Sequence, residues 1–132
     1  GTVTGRPRRC GWLDAVVART AVRLNGVTSL ALTKIDVLSG LPTVRICTGY
    51  AYQGDLYDEV PASVHVIDRI TPVYEDLPGW SEPLTDIRSL DALPLNARRY
   101  VERVEQIVNT PIKMISVGAG REETILIRPT FF

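Results

Sequence analysis

The sequence predicts an α/β fold, in which helices pack on a mostly parallel sheet that carries an added β-hairpin. Two stretches with helical spacing of apolar residues are each followed by an apolar run of strand length, and this alternation is typical of α/β chains. Between them, the β-branched and aromatic stretch TVRICTGYAY is followed by the turn residues QGD and a second short strand pattern. That order indicates a β-hairpin.

The two predicted helices span residues 12–24 and 95–108. Each has apolar residues three and four positions apart on one face, and each stops at residues that favour a helix end, Asn25 and Gly26 in the first and Asn109 in the second. In the second helix Arg98 and Glu102 lie four positions apart, and such a pair contributes only ~0.2–0.5 kcal/mol.

Strands are predicted at residues 27–33, 43–52, 112–118 and 124–127, with residues 56–63 returning as the hairpin partner of the second strand. The run VTSLALT, residues 27–33, is predicted to be buried on both faces, as in a parallel sheet. Residues 71–94 hold four of the nine prolines, so we expect a long ordered loop with short elements there, anchored by Tyr74, Trp80 and leucines.

The composition is that of one soluble globular domain of 132 residues. Fifteen basic residues balance fifteen acidic ones, so net charge gives no reason to expect binding to nucleic acid or to an anionic membrane, and no apolar run reaches the ~18 residues of a membrane span. Cys10 and Cys47 have neither metal-ligand spacing nor a disulfide framework, which favours a reducing cytoplasm. Because the chain begins at Gly1 and runs at once into a loop rich in arginine and threonine, we expect a fragment of a longer protein.

The first candidate site is the strand end Thr33-Lys34-Ile35-Asp36. Ligands of α/β sheets bind at the carboxyl ends of strands, and Lys-x-Asp places both side chains on the same side of an extended chain. An aspartate there can accept hydrogen bonds from N1–H and the N2 amine of guanine, whereas adenine would leave the carboxylate buried and unpaired. The lysine stem can cover the purine face, as in the N/T-K-x-D element of GTP-binding proteins. The competing interpretation is an ordinary solvated strand end.

Two further stretches suit a nucleotide or another anion. Ser116-Val117-Gly118 also follows an apolar strand, and its backbone N–H groups can face guanine O6; a simple β-turn is the alternative. The opening stretch GTVTGRPRRCGW holds two threonines, two glycines and three arginines within nine residues, which suits a carboxylate or a phosphate. A basic nucleic-acid patch or a solvated loop would also explain it, although it lacks interleaved aromatic residues.

Four stretches occur in an order that resembles the adenylosuccinate synthetase family: GTVTGRPRRCGWLDAVVAR, VTSLALTKIDVLSG, YEDLPGW and ISVGAGREETILI. The resemblance covers essentially the whole chain and corresponds to roughly the C-terminal third of the family's enzymes. It implies a single domain, residues 1–132, at the C-terminal end of a larger P-loop-like α/β enzyme. That family joins IMP to L-aspartate with hydrolysis of GTP and forms adenylosuccinate, GDP and phosphate, a step of AMP biosynthesis.

The resemblance implies a role for each candidate residue. The loop that closes on L-aspartate would be Thr2, Val3, Thr4, Gly5, Arg6, Pro7 and Arg8. Thr4 and Arg6 would hold the aspartate carboxylates, Arg6 would also lie near IMP, and Arg8 would reach toward the guanine nucleotide. Lys34, Ile35 and Asp36 would bind guanine of GTP, with Ser116, Val117 and Gly118 on its other edge. The family often has two adjacent threonines before the GR of this loop, and Val3 replaces the first of them here.

The same resemblance places the catalytic machinery outside this chain: the aspartate base, the histidine acid, the phosphate loop and the Mg²⁺ ligands. His65, the one histidine, matches no catalytic motif and is predicted to be a structural or surface residue. We therefore expect no catalytic residue, no metal site and no activity of the chain alone, in a cytoplasmic enzyme that forms a homodimer at full length. The alternatives are a non-catalytic guanine-nucleotide-binding module and an interaction domain without a ligand.

Overall fold

The structure is a computed structural model that describes residues 4–7 and 10–127. These residues form seven strands, three helices and two short 3-10 helices, Asp36–Leu38 and Leu90–Ala92. The strands are β1 (Leu13–Asp14), β2 (Leu30–Leu32), β3 (Thr43–Tyr52), β4 (Asp55–Tyr57), β5 (Thr71–Pro78), β6 (Ile112–Ser116) and β7 (Thr124–Leu126). The helices are α1 (Ala15–Asn25), α2 (Val64–Ile67) and α3 (Leu95–Val108).

The strands form two mixed sheets. In the first, the long strand β3 pairs in parallel with β1 and antiparallel with both β4 and β5. In the second, the order is β2-β6-β7, with β2 and β6 parallel and β6 and β7 antiparallel. The α/β class and the β3–β4 hairpin are confirmed. The sheets are mixed rather than mostly parallel, because β4 and β7 follow short turns, which join only antiparallel strands.

Helix α1 begins three residues later than predicted. Asp14 caps its first turn, where one carboxylate oxygen accepts hydrogen bonds from the N–H groups of Val16 and Val17, both at 3.0 Å. The other carboxylate oxygen accepts a 2.6 Å bond from the Tyr50 hydroxyl on β3. Leu13 and Asp14 therefore pair with β3 as the short strand β1, and the helix begins only after Asp14, which caps it.

Helix α3 occupies residues 95–108, as predicted. It ends at Asn109, which adopts the left-handed conformation with φ of 54°. The expected Arg98–Glu102 pair forms at 2.9 Å on the exposed side of the helix. The opposite side buries Tyr100, Val101 and Val104, among others, and burial raises the pKa of Tyr100 to about 12.

The prediction of an irregular segment at residues 71–94 is wrong for its first third. Thr71–Pro78 forms the eight-residue strand β5, which pairs with β3 over nearly its whole length. Two of the four prolines fall at Pro72 and Pro78 of this strand. Proline is tolerated in β5 because this strand lies at a sheet edge, where the N–H groups on its outer side have no neighbouring strand to donate to. The expected anchor Trp80 is buried, whereas Tyr74 is 39% exposed.

The prediction that residues 27–33 are buried on both faces is also wrong. Strand β2 has only three residues, and Ala31 at its centre is exposed. The parallel pairing with β6 is as expected, with Leu32 opposite Ile115. Burial is one-sided because Leu30 and Leu32 pack against the core, whereas Ala31 lies on the other face of the strand and is exposed.

One large cluster of buried side chains joins the two sheets to α1 and α3. Ile46 of β3, Ile115 of β6 and Ile125 of β7 all belong to it. Cys47 is buried and Cys10 is exposed, and both are thiols. His65 is exposed on α2, as predicted. No helix in the described part of the chain has both the length and the apolar character that a bilayer crossing requires.

Candidate functional site

The two predicted guanine-binding strand ends meet at one edge of the second sheet. Strands β2 and β6 run parallel, and the pairing of Leu32 with Ile115 is the last in register before both strands end. The segment Lys34–Asp36 therefore leaves the sheet beside the segment Ser116–Gly118. Neighbouring parallel strands that end together present their following residues to the same space, which is where α/β sheets bind ligands.

Asp36 has a buried polar atom that makes no hydrogen bond within the described residues. This atom is its carboxylate oxygen Oδ1. A buried polar atom that makes no hydrogen bond costs about 1–3 kcal/mol, and more when it is charged. A ligand that donates hydrogen bonds to this oxygen would remove that cost.

Lys34 and Asp36 do not lie on an extended chain, so that part of the sequence argument is wrong. Lys34 adopts the left-handed conformation with φ of 63°, and Ile35 is helical with φ of −73° and ψ of −20°. The segment is thus a turn that enters the 3-10 helix at Asp36. Ile35 fixes this turn because its side chain is only 1% exposed and packs in the main core. Any contact between Ile35 and a base at this edge would involve its backbone.

The second strand end is a closed turn from Ser116 to Glu123. The Val117 N–H donates to the Glu123 carbonyl at 2.9 Å, and the Ser116 hydroxyl donates to the Gly118 carbonyl at 2.8 Å. The Glu123 carboxylate in turn accepts a hydrogen bond from the Gly120 N–H at 2.5 Å. The Val117 N–H is therefore already paired within the turn. The expectation that three backbone N–H groups face guanine O6 is limited to those of Ser116 and Gly118.

The segment that follows Asp36 is held by Trp80, which the sequence predicted as an anchor of residues 71–94 but not as a neighbour of this strand end. The Gly40 N–H donates to the Trp80 carbonyl at 2.8 Å, and the Trp80 indole N–H donates to the Ser39 hydroxyl at 3.0 Å. Trp80 also packs on Tyr100 of α3, with ring centroids 5.9 Å apart. We call these contacts of Trp80 with Ser39, Gly40 and Tyr100 the Trp80 clamp. Its signal in the sequence was the rare combination Pro78-Gly79-Trp80.

An open groove of about 480 Å³ lies beside this clamp, lined by residues 40–42, 79–82 and 94–96. Glu82 is the one titratable residue in its lining. Most of its lining is backbone and apolar or neutral side chains, and the groove contains no residue of Lys34–Asp36 or Ser116–Gly118.

The structure describes only part of the predicted aspartate loop. Thr4, Gly5, Arg6 and Pro7 are all exposed, the Arg6 N–H donates to the Thr4 hydroxyl at 3.4 Å, and Gly5 has a φ of 62°. Thr2, Val3 and Arg8 lie outside the described residues. The loop leads into β1 of the first sheet, whereas the two strand ends belong to the second.

Two other reactive side chains, Cys47 and Tyr50, are buried next to Asp14 and have raised pKa values. Burial, together with the nearby Asp14 carboxylate, raises the pKa of the Cys47 thiol, so that this thiol is protonated near neutral pH and is a poor nucleophile. Burial and the hydrogen bond to Asp14 raise the pKa of Tyr50 as well. Within residues 4–7 and 10–127, no three His, Cys, Asp or Glu side chains lie close enough together to hold a metal ion.

The fold and the site define an α/β chain whose polar groups gather at the carboxyl edge of a parallel strand pair. The model of the adenylosuccinate synthetase family matches residues 1–125, so the chain belongs to the adenylosuccinate synthetase family. It is 54% identical over 131 residues to adenylosuccinate synthetase of Geobacter sp. (strain M21), covering 99% of this chain and 30% of that protein. The corresponding enzyme of Pelotomaculum thermopropionicum is 56% identical over 126 residues, covering 96% of this chain and 30% of that protein.

A solved structure has the same fold. Fully ligated adenylosuccinate synthetase from Plasmodium falciparum matches with a TM-score of 0.92 and 36% sequence identity, over 97% of this chain and 31% of that one. The chain thus spans about 30% of the length of the curated relatives it matches.

Proposed function

We propose that this chain is a C-terminal segment of an adenylosuccinate synthetase, a GTP-dependent ligase that forms a carbon–nitrogen bond. The complete enzyme joins IMP to L-aspartate and releases adenylosuccinate, GDP and phosphate, in the purine biosynthesis that leads to AMP. Family membership over residues 1–125 supports this proposal. In the proposal the segment supplies binding groups, and the rest of the enzyme supplies the acid–base chemistry.

The guanine of GTP is bound between the two strand ends of the second sheet. The single observation that carries this assignment is the buried Oδ1 of Asp36, which has no hydrogen-bond partner among residues 4–7 and 10–127 and lies on the strand end next to Ser116–Gly118. Guanine offers two adjacent donors, N1–H and the N2 amine, which match the two oxygens of one carboxylate. The exposed Lys34 covers the base with its alkyl stem, and the backbone at Gly118 faces O6 on the other edge.

Residues 2–8 form the loop that holds L-aspartate. Thr4 and Arg6 bind its carboxylates, because a guanidinium forms paired hydrogen bonds with a carboxylate and a threonine hydroxyl donates another. Arg6 also borders IMP, and Arg8 reaches the guanine nucleotide. The exposure of residues 4–7 supports this role, since a loop that closes on a substrate has to be accessible before the substrate binds.

The remaining parts of the reaction lie outside this segment. Mg²⁺ is held, with the phosphates of GTP, by residues of the rest of the enzyme, which also contains the base that activates IMP. The segment alone is accordingly inactive. The complete enzyme is a cytoplasmic homodimer in this proposal.

The substitution Asp36→Asn in the full-length parent tests the guanine assignment. An asparagine amide replaces one acceptor by a donor, which suits the C2 oxygen of xanthine and opposes the N2 amine of guanine. We expect kcat/KM for GTP to fall by about a hundredfold, the effect of losing hydrogen bonds to a charged group, and kcat/KM for xanthosine triphosphate to rise. Steady-state turnover of IMP and L-aspartate with each nucleotide gives both values.

The matched control is Asp86→Asn, which makes the same chemical change at an exposed aspartate away from both strand ends. It should leave kcat/KM for both nucleotides unchanged. An Asp36→Asn enzyme that keeps the parent's preference for GTP would show that this carboxylate does not face the base. Binding of GTP without any turnover of IMP and L-aspartate by the unsubstituted parent would instead favour a non-catalytic guanine-nucleotide-binding module.

A further inference from the structure

The turn between β6 and β7 is closed by Glu123, which lies in the stretch ISVGAGREETILI but had no role assigned from the sequence. Its backbone closes the turn twice, because its carbonyl accepts from the Val117 N–H at 2.9 Å and its own N–H donates to the Gly120 carbonyl at 3.1 Å. Its carboxylate then folds back into the turn and accepts the Gly120 N–H through Oε2 at 2.5 Å. The backbone and the side chain of Glu123 thus both form hydrogen bonds within the turn, to Val117 and to Gly120.

The carboxylate of Glu123 also lies directly against Gly118. A methyl group added at Gly118 would come within 2.3 Å of Glu123 Oε2 and 2.6 Å of its carboxyl carbon. The carboxyl group of Glu123 thus occupies the space beside Gly118 that a side chain there would take. It is the flexible end of a side chain, so it lies against the backbone of Gly118 without excluding a substitution there.

The charge of Glu123 makes the arrangement stronger than an ordinary turn. A hydrogen bond from a backbone N–H to a carboxylate is about twice as strong as one between neutral groups. Glu123 is half-buried, which limits competition from water, whereas its neighbour Glu122 is exposed. The two glutamates are chemically identical and adjacent in sequence, but their environments differ.

We propose that Glu123 is a positioning residue for guanine recognition, an inference that rests on the proposed function. Its carboxylate holds the turn in the shape that presents the Gly118 backbone to the base, and it does not itself contact the nucleotide. Glu123 therefore acts on the affinity for the base and leaves the chemical step at IMP untouched.

The test compares Glu123→Ala with Glu122→Ala in the full-length parent. Glu123→Ala should raise KM for GTP by about tenfold, as expected when a hydrogen bond to a charged group is removed, while kcat changes by less than about twofold. Glu122→Ala should change neither. Glu123→Gln keeps the shape and one oxygen acceptor, and it should recover most of the lost affinity. Hydrogen exchange of the peptide that covers residues 116–123 should become faster in Glu123→Ala only.

The outcomes separate this inference from the proposed function. Unchanged exchange and unchanged KM for GTP in Glu123→Ala would overturn the role of Glu123, while the Asp36→Asn result would still decide the guanine assignment. Faster exchange with an unchanged KM for GTP would overturn the inference by showing that the turn is held by Glu123 but does not bind the base. A fall in kcat as large as the rise in KM, not recovered by Glu123→Gln, would show a general structural role and would also overturn it.

Discussion

Gly79 lies where two segments of the chain cross, and it leaves no room for a side chain. A Cβ atom at this position would lie 1.8 Å from the carbonyl oxygen of Leu41. The crossing is fixed by a hydrogen bond from the Gly79 N–H to the Pro42 carbonyl at 2.9 Å and by one from the Asn96 amide to the Gly79 carbonyl at 2.8 Å. These contacts connect α3 to the segment that follows Asp36.

Gly79→Ala should therefore destabilise the chain. Because the obstructing atoms belong to the backbone, the crossing strands have to separate, and overpacking of this kind costs about 1–3 kcal/mol. Chemical denaturation gives the free energy of unfolding. Gly11→Ala is the control, since nothing lies within 4 Å of a Cβ atom there, and it should change that free energy by less than about 0.5 kcal/mol. An equal effect of both substitutions would show that the crossing is not tightly packed.

At the level of single residues, the sequence predicted that Lys34–Asp36 and Ser116–Gly118 follow strand ends, which the structure places side by side, but it did not predict their local geometry. The chemistry of Lys34 and Asp36 pointed to a purine without any structure. The left-handed backbone of Lys34 was not predictable, because lysine has no local preference for positive φ and only the burial of Ile35 in the core imposes the turn. The role of Glu123 was hidden for a similar reason, since two adjacent glutamates look alike until the turn closes around one of them.

Among the elements, α3 and β5 are joined by one bidentate ion pair. Arg103 Nε and Nη2 each lie 2.7 Å from an oxygen of Glu75. The hydrogen bonds and charge of Arg103 lower the pKa of Glu75, outweighing the opposite effect of partial burial. The pair is about one-third exposed, so solvent screening limits its contribution to about 0.5–1 kcal/mol.

The pH dependence of stability follows from the lowered pKa of Glu75. A carboxyl group with a lower pKa in the folded state stabilises the fold above its usual pKa of 4.5 and loses that contribution as the pH falls through the folded value. Arg103→Met should thus lower the free energy of unfolding by about 0.5–1 kcal/mol at pH 7, and by progressively less below pH 4.5. The exposed Arg99 on the same helix is the control, because Arg99→Met should have little effect at either pH. A loss for Arg103→Met that does not shrink in acid would contradict the account.

The elements that the sequence predicted best are those with a strong local signal. Helix α3 and strand β3 were predicted to the residue, since both have long periodic patterns and clear end signals. Strand β5 was missed because its two prolines mark a loop by local rules, while its pairing with β3 is a long-range effect. The start of α1 was missed because two apolar residues, Trp12 and Leu13, continue the helical pattern on the N-terminal side of the capping Asp14.

At the scale of the whole molecule, the two sheets share one core, and the candidate site lies at the edge of only one of them. This arrangement suits a segment that contributes a base-binding edge to a larger enzyme. The central claim is that the paired strand ends recognise guanine by its hydrogen-bond donors.

The most direct test of that claim is calorimetric binding of GDP, IDP and ADP to the full-length parent. IDP lacks the N2 amine and should bind about tenfold more weakly than GDP, because one hydrogen bond to Asp36 is lost. ADP lacks both donors and turns a lone pair toward the carboxylate, so it should bind weaker still, by about a hundredfold or more. Dissociation constants in the order GDP, IDP, ADP, from tightest to weakest, are the predicted result. Equal dissociation constants for the three nucleotides would contradict guanine recognition at these strand ends.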